Sequence, residues 1–340
     1  MGTKENFSPT IKKALVTGGG GFVGKAVVMR LLELGVEIRV IGRHRYPDIE
    51  AAGAECFVGN ISHSEAMIEA TKGIDIVFHV AALAGIWGSW QDYYLSNVVG
   101  TEKVIESCRA NKVTMLVYTS TPSVVFNGRD ILGADERLDY AEKSLCHYAT
   151  SKIMAEKMVL GANSSDLRTC ALRPHLIWGP GDPHLLPRLL ASGKKKQLKR
   201  VGNGANLVDI SYIDNVAYAH ILAAKNLAGK ATASGRPYFI SQGTPVNLWN
   251  WINELFAEMA VPPIQASLSE AFAYRLGGAL ELFYAAIGSK KEPRMTRFLA
   301  EQLAKSHYFS IAKARKDLGY EPIVSTKEGL YRTVQWLKKQ

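Results

Sequence analysis

Tyr148-Ala149-Thr150-Ser151-Lys152 sets a phenol and an ammonium four residues apart, a spacing that puts both on one face of a helix. An ammonium beside a phenol favours the phenolate and so lowers the tyrosine pKa. Such a phenol can give a proton to a ketone oxygen, or take one from an alcohol, near neutral pH. Upstream, Thr119-Ser120-Thr121-Pro122-Ser123 gathers hydroxyls at the end of an apolar run over 115–118. The tyrosine–lysine spacing is common on surface helices, so its meaning depends on the elements that hold it.

Those elements begin at Ala14-Leu15-Val16-Thr17-Gly18-Gly19-Gly20-Gly21-Phe22-Val23-Gly24, an apolar run, a glycine cluster, then apolar residues at helical spacing through Glu33. A strand–turn–helix of this kind leaves the first-turn N–H groups free and lets a pyrophosphate approach the backbone closely. The β-branched run 36–41 after Gly35 reads as a second strand. At its end a domain selective for NAD carries an acidic residue for the ribose 2′-hydroxyl. Here stand Gly42-Arg43-His44-Arg45. Guanidinium groups in place of a carboxylate suit a 2′-phosphate, so NADP(H) is expected over NAD(H).

A third strand is expected over 55–58, ending in Gly59-Asn60-Ile61, and an amphipathic helix over 62–71 with Ser62 as N-cap and Glu65 three residues on. The apolar run 74–80 reads as a strand buried on both faces, leading into His79-Val80-Ala81-Ala82, small residues that leave room over a sheet edge. A helix over 97–109, the strand 115–118 and a helix from Tyr148 through 158 follow. Repeated strand–helix–strand units through residue 178 call for a doubly wound parallel sheet, an α/β Rossmann fold, with right-handed crossovers.

The 340 residues are 47% hydrophobic and 21% charged, globular rather than disordered. A net charge of +10 suits an anionic cofactor, an acyl substrate or an acidic membrane surface. No zinc-finger spacing or RNA-binding aromatic signature accompanies it, so neither nucleic acid nor a metal centre is expected. Cys56, Cys108, Cys146 and Cys170 are scattered, as free thiols in a reducing compartment are. Residues 1–13 have no signal-peptide core and read as a loose lead-in, so a cytosolic protein is expected.

Several motifs together resemble the extended short-chain dehydrogenase/reductase family. They are Thr17-Gly18-x-x-Gly21-Phe22-x-Gly24, His79-x-Ala81-Ala82, Asn97-Val98-x-Gly100-Thr101, Tyr148-x-x-x-Lys152, Leu172-Arg173-Pro174 running into Trp178-Gly179-Pro180-Gly181, and Tyr212-Ile213-Asp214-Asn215-Val216-Ala217. The resemblance spans essentially the whole chain. It implies Tyr148 as general acid, Lys152 as its partner and a ribose ligand, and Thr121 as the hydroxyl holding the substrate oxygen, with Ser120 and Ser123 beside it. It further implies Gly18, Gly21, Phe22, Val23 and Gly24 at the pyrophosphate, Ala81 and Ala82 on the nicotinamide side, and Pro174 at the carboxamide. Arg43 and His44 fall at the 2′-phosphate, and Asn60 and Ile61 near the adenine. Asn60 stands where the family usually has Asp. A homodimer is the family default.

Within that family the chain is similar to the 3β-hydroxysteroid dehydrogenase/isomerase group. Ala84-Gly85-Ile86-Trp87-Gly88, Ser123-Val124-Val125-Phe126-x-Gly128-Arg129-Asp130, and the stretch from Arg173 to Leu185 resemble a branch of long-chain olefin biosynthesis. This resemblance implies NADPH-dependent reduction of a β-keto acid carrying two long alkyl chains. A nucleotide-sugar epimerase or dehydratase is the alternative on the same fold. Dehydratases usually place acidic residues beside the threonine, where this chain has Pro122-Ser123. Tyr148, Lys152 and Thr121 all being present counts against a non-catalytic NADP sensor.

The expected division is a dinucleotide-binding domain over 11–178 plus about 208–240, and a smaller substrate-binding lobe over 179–207 and 241–340. In the lobe, strands are expected over 208–213 and 238–241, and helices over 215–225 and 248–260, with Trp249, Trp251 and Phe256 as core. The apolar stretch 269–288, ending at Lys290-Lys291, is a poor membrane span because Arg275 and Glu281 interrupt it. It reads as a lid, as an interfacial helix contacting the inner membrane surface through 269–291, or as a core helix pair broken at Gly277-Gly278. His175, His184 and Arg188 are candidates, by charge alone, for an acyl carboxylate.

Overall fold

Strands apolar on both sides must be covered on both sides, and the chain does this with a parallel sheet between two helical layers. The computed structural model describes residues 11–340. Most of the expected N-terminal lead-in lies outside the described residues. Strands β1 (Lys13–Thr17), β2 (Glu37–Gly42), β3 (Glu55–Val58), β4 (Ile76–His79), β5 (Met115–Thr119), β6 (Arg168–Pro174) and β7 (Arg236–Ile240) form one 7-stranded sheet. Its order is β7-β6-β5-β4-β1-β2-β3, with every pair parallel. The order reverses between β1 and β4, the switch point where open α/β sheets bind ligands.

Neighbouring residues on each strand go to opposite faces. Val16, Val40, Phe78, Val117 and Leu172 pack under the helices Phe22–Glu33 and Ile213–Ala228. Leu15, Ile41, Val77, Leu116 and Ala171 pack under Ser64–Ala70, Gly100–Ala110 and His147–Gly161. A second unit is built from a 4-stranded sheet in which Val246–Asn247, Leu207–Val208, His307–Phe309 and Ile131–Ala134 are neighbours in that order. Its core holds Trp249, Trp251 and Phe256, as the aromatic pattern indicated, together with Trp178.

Several local expectations need correction. The helix expected from residue 62 starts at Ser64, with His63 at the N-cap and no side-chain cap. Asn60 Oδ1 accepts the Ser62 N–H at 3.1 Å, and this turn delays the helix by two residues. The strand expected over 208–213 is split. Leu207–Val208 joins the second sheet, while Ser211–Tyr212 pairs with Ile177–Trp178. Between them Asp209 turns its carboxylate inward to accept the Phe309 N–H at 2.8 Å. The helix expected over 97–109 starts earlier, at Trp90, and passes through a π-helical turn at Tyr94–Val99.

The 269–288 stretch is one helix, Glu270–Ala286, unbroken at its glycines. Gly277 serves a close approach instead: a Cβ there would lie 2.5 Å from the Thr296 carbonyl carbon. Only Ala273 and Gly277 are buried, so the helix is not core. Phe272, Leu276, Leu282, Phe283 and Ile287 form an exposed apolar stripe, Leu282 being 75% accessible. Among the described residues no helix is long and apolar enough to cross a membrane.

Candidate active site

The glycine turn is shaped by contact as well as by backbone angle. Gly18 has φ +69°, and a Cβ on it would lie 2.8 Å from Ala81 Cα. A Cβ on Gly24 would fall 2.1 Å from the Gly18 carbonyl oxygen. Gly21 is the N-cap of the Phe22–Glu33 helix and offers no side-chain acceptor, so the first-turn N–H groups of Phe22 and Val23 stay available to an anion. The residues present therefore fit a pyrophosphate.

Beside the turn, a hydrogen-bonded chain fixes the end of β4. Thr17 Oγ1 accepts from Val80 N and Ala81 N at 3.1 Å each, which directs its own proton to His79 Nδ1 at 2.8 Å. His79 Nε2–H then donates to Thr101 Oγ1 at 2.9 Å, and Thr101 donates to the Asn97 carbonyl at 2.6 Å. His79 is thus neutral; burial, helped by the Lys152 charge, pushes its pKa down to about 3. The Asn97 side chain pins the following loop by accepting from Leu83 N and donating to Leu83 O, and it donates also to Ser151 Oγ at 2.9 Å. The π turn puts that side chain in place, a common use of such turns.

The catalytic candidates converge at the ends of β5 and the His147–Gly161 helix. Tyr148 is half-buried, close enough to Thr121 for that side chain to draw its pKa down, and its ring is edge-on to Tyr93 at 6.5 Å. Thr121 Oγ1 also donates to Ser123 Oγ and accepts from Ser123 N, both at 3.2 Å. Ser120 is buried, and its hydroxyl has no partner. Lys152 is 2% exposed; its ammonium donates to the Thr119 carbonyl at 2.6 Å and lies 4.1 Å above the Tyr118 ring.

The ammonium does not set the phenol as the spacing suggested. Burial pushes Tyr148 up to about 12 against the opposing pull of the Thr121 hydrogen bond. The reason is geometric: Lys152 is tied to the strand end and spends its charge there. Burial also pushes Lys152 down to about 7, although Glu156 opposes the shift.

Arg43 and His44 are exposed at the end of β2, and Asn60 lies just past β3. Ile61 is buried, its side chain filling the space above Gly100, where a Cβ would meet it at 2.7 Å. Ala81 touches the glycine turn, Ala82 is exposed in the loop beyond it, and Pro174 is buried at the end of β6. Two of the carboxylate candidates are engaged elsewhere. Arg188 pairs with Glu292 at 2.5 Å, and His175 Nε2 lies 2.9 Å from His307 Nδ1. Sequence reasoning missed Tyr93, whose contact with Tyr148 no local spacing encodes.

A family profile described as 3-beta hydroxysteroid dehydrogenase/isomerase matches residues 15–269. The chain belongs to that family. It is an oxidoreductase of the short-chain dehydrogenase/reductase kind. It is 46% identical over 331 residues to a 2-alkyl-3-oxoalkanoate reductase of Shewanella oneidensis, covering 95% of this chain and 85% of that one. It is 35% identical over 329 residues to a decarboxylating sterol-4-alpha-carboxylate 3-dehydrogenase of Mus musculus, covering 95% and 90%. The crystal structure of gox2253 superimposes with a TM-score of 0.78 at 26% identity, covering 96% of this chain and 98% of that one. MoeE5, solved with UDP-glucose and NAD, gives 0.74 at 23% identity over 96% and 99%, a likeness of fold alone.

Proposed function

We propose that the protein is an NADPH-dependent reductase that converts a 2-alkyl-3-oxoalkanoate, a β-keto acid, to the 3-hydroxy acid. The observation that carries the chemistry is the gathering of Tyr148, Thr121 and Lys152 at the carboxyl end of the sheet, with Lys152 fixed on the Thr119 carbonyl and Thr121 turned at Ser123. The substrate class rests on the 46% identity to the Shewanella oneidensis reductase. Gly18, Gly21, Phe22, Val23 and Gly24 would hold the pyrophosphate, Arg43 and His44 the 2′-phosphate, and Asn60 and Ile61 the adenine. Ala81, Ala82 and Pro174 would flank the nicotinamide, and Lys152 the ribose.

The bound dinucleotide supplies the hydride. Thr121 Oγ1 holds the ketone oxygen in place, and Tyr148, fully protonated at neutral pH, delivers its proton to that oxygen as negative charge develops there. Lys152, one helical turn on, donates to the Thr119 carbonyl and would offer its remaining N–H groups to the ribose.

A cavity of about 180 Å³ opens at the head of the same helix, between Phe126, Leu145, Tyr274 and Phe298, with Lys143 and Glu301 at its edge. Small-molecule sites usually span about 300–1,000 Å³, so two long alkyl chains need more room than this cavity has. Tyr274 of the Glu270–Ala286 helix lines this cavity, while the helix exposes Phe272, Leu276, Leu282, Phe283 and Ile287, followed in sequence by Lys290 and Lys291. This supports peripheral contact with an anionic bilayer, apolar side chains entering the interface and lysines at the headgroups. Co-sedimentation with vesicles rich in phosphatidylglycerol is expected, and Leu282→Glu with Phe283→Glu abolishes it; retention by that variant rules the contact out.

Absorbance of NADPH followed against a panel tests the reaction. Oxidation with 2-alkyl-3-oxoalkanoates and none with UDP-sugars is expected. Turnover confined to 3-ketosteroids would move the assignment to a 3β-hydroxysteroid dehydrogenase, the reading favoured by the 35% identity to the sterol carboxylate enzyme.

A further inference from the structure

Tyr46 is an aromatic residue between the loop at the end of β2 and the short helix Pro47–Ala51, and nothing in the chemistry above uses it. Its backbone is tied at the carbonyl, which accepts from Ile49 N and Glu50 N at 3.0 Å each. From there the ring lies across the glycine turn. A Cβ on Gly20 would sit 2.1 Å from Tyr46 Cε1, and one on Gly42 would sit 2.3 Å from the Tyr46 hydroxyl oxygen. Both distances are far inside van der Waals contact, so the ring fills the space that side chains at 20 and 42 would occupy.

Position 42 is where a carboxylate for the ribose 2′-hydroxyl would stand. The surrounding charges are already matched, save one side. Asp48 is held by Lys25, and Glu50 by Arg45 at 2.8 Å. Among the described residues of this loop, Arg43 alone has an unpaired guanidinium, and it is exposed.

We propose that Tyr46 and Gly42 act as a matched pair that sets the choice between the two dinucleotides. The ring excludes a carboxylate at 42 and forms a wall for the adenosine ribose, leaving Arg43 to meet a 2′-phosphate. Arg43 discriminates by its charge; Tyr46 lines the ribose of either dinucleotide and bears on the choice only by denying position 42 a carboxylate. The inference rests on the NADPH reading given above.

Binding, measured by titration calorimetry on the full chain with NADP⁺, NAD⁺ and adenosine 2′,5′-bisphosphate, separates these roles. Arg43→Ala weakens only the two ligands that carry the 2′-phosphate, by about tenfold or more, the worth of one charge-assisted bond. Tyr46→Ala weakens NADP⁺ and NAD⁺ alike, because it removes a wall and no charge. Gly42→Asp with Tyr46 in place loses both dinucleotides; adding Tyr46→Ala restores NAD⁺ by about tenfold while NADP⁺ stays weak. Gly42→Ala, alone and with Tyr46→Ala, repeats the steric comparison with a smaller change, and circular dichroism melts establish that each variant is folded. Tight NAD⁺ binding by Gly42→Asp with the ring still present would overturn the pairing, since the ring would then simply have swung aside. Equal binding of NAD⁺ and NADP⁺ by the unsubstituted protein would defeat the NADPH reading instead, and the 42/46 comparison would still decide the steric claim.

Discussion

Tyr148→Phe is expected to bind NADP⁺ as the unsubstituted protein does and to lose turnover by about 10²–10⁴-fold, the usual contribution of a positioned proton donor. The substitution keeps the ring, its edge contact with Tyr93 and the packing of the helix head, and removes only the hydroxyl. The ketone oxygen then has to draw its proton from water while negative charge builds on it. On the proposed reading, dinucleotide affinity would rest on Gly18, Gly24 and the N–H groups of Phe22 and Val23 rather than on this hydroxyl, so calorimetry and rate should part company. An enzyme that keeps its rate without this hydroxyl has its acid elsewhere. Thr121→Val provides the second arm: a smaller loss of rate, with Tyr148 left in place but the oxygen no longer held.

The dinucleotide half of the molecule was legible because its signals are local. A parallel strand buried on both faces is a continuous apolar run, which is why 115–118 was read almost to the residue. Gly18 and Gly24 mark a turn that no side chain fits. The second unit was less legible because its strands are two to four residues long, too short for any period to show, and the strand Ile131–Ala134 was not foreseen at all. Gly277 reads as a helix breaker until the Thr296–Arg297 backbone is seen lying against it. Tyr148, Lys152 and Thr121 were singled out by spacing and motif, and the structure brings them to one end of the sheet, but the ammonium is not what sets the phenol. Spacing tells that two side chains share a face; it does not tell that one of them is bound to a carbonyl on a neighbouring strand.

That bond makes Lys152 the site where function costs stability. An ammonium 2% exposed, with its pKa pushed from 10.5 down to about 7, is favoured in the unfolded chain wherever it is charged. Between about pH 7 and 10.5 the unfolded state binds more protons than the folded one at this residue, so its contribution makes stability rise with pH across that window. Below about 7 the group is charged in both states and the full penalty stands. Lys152→Met keeps the buried stem and removes the charge. It also leaves the Thr119 carbonyl without its donor, a loss of about 1–3 kcal/mol. Three and more units of pKa outweigh that at about 1.4 kcal/mol each, so the variant is expected to be more stable than the natural chain by about 2 kcal/mol at pH 6. The advantage should fade as pH rises toward 10, while reductase activity is lost at every pH. Melting curves at pH 6 and pH 9 check this: a variant less stable at pH 6 means that the Thr119 bond outweighs the buried charge, and the lysine would then be holding the strand end together rather than straining it.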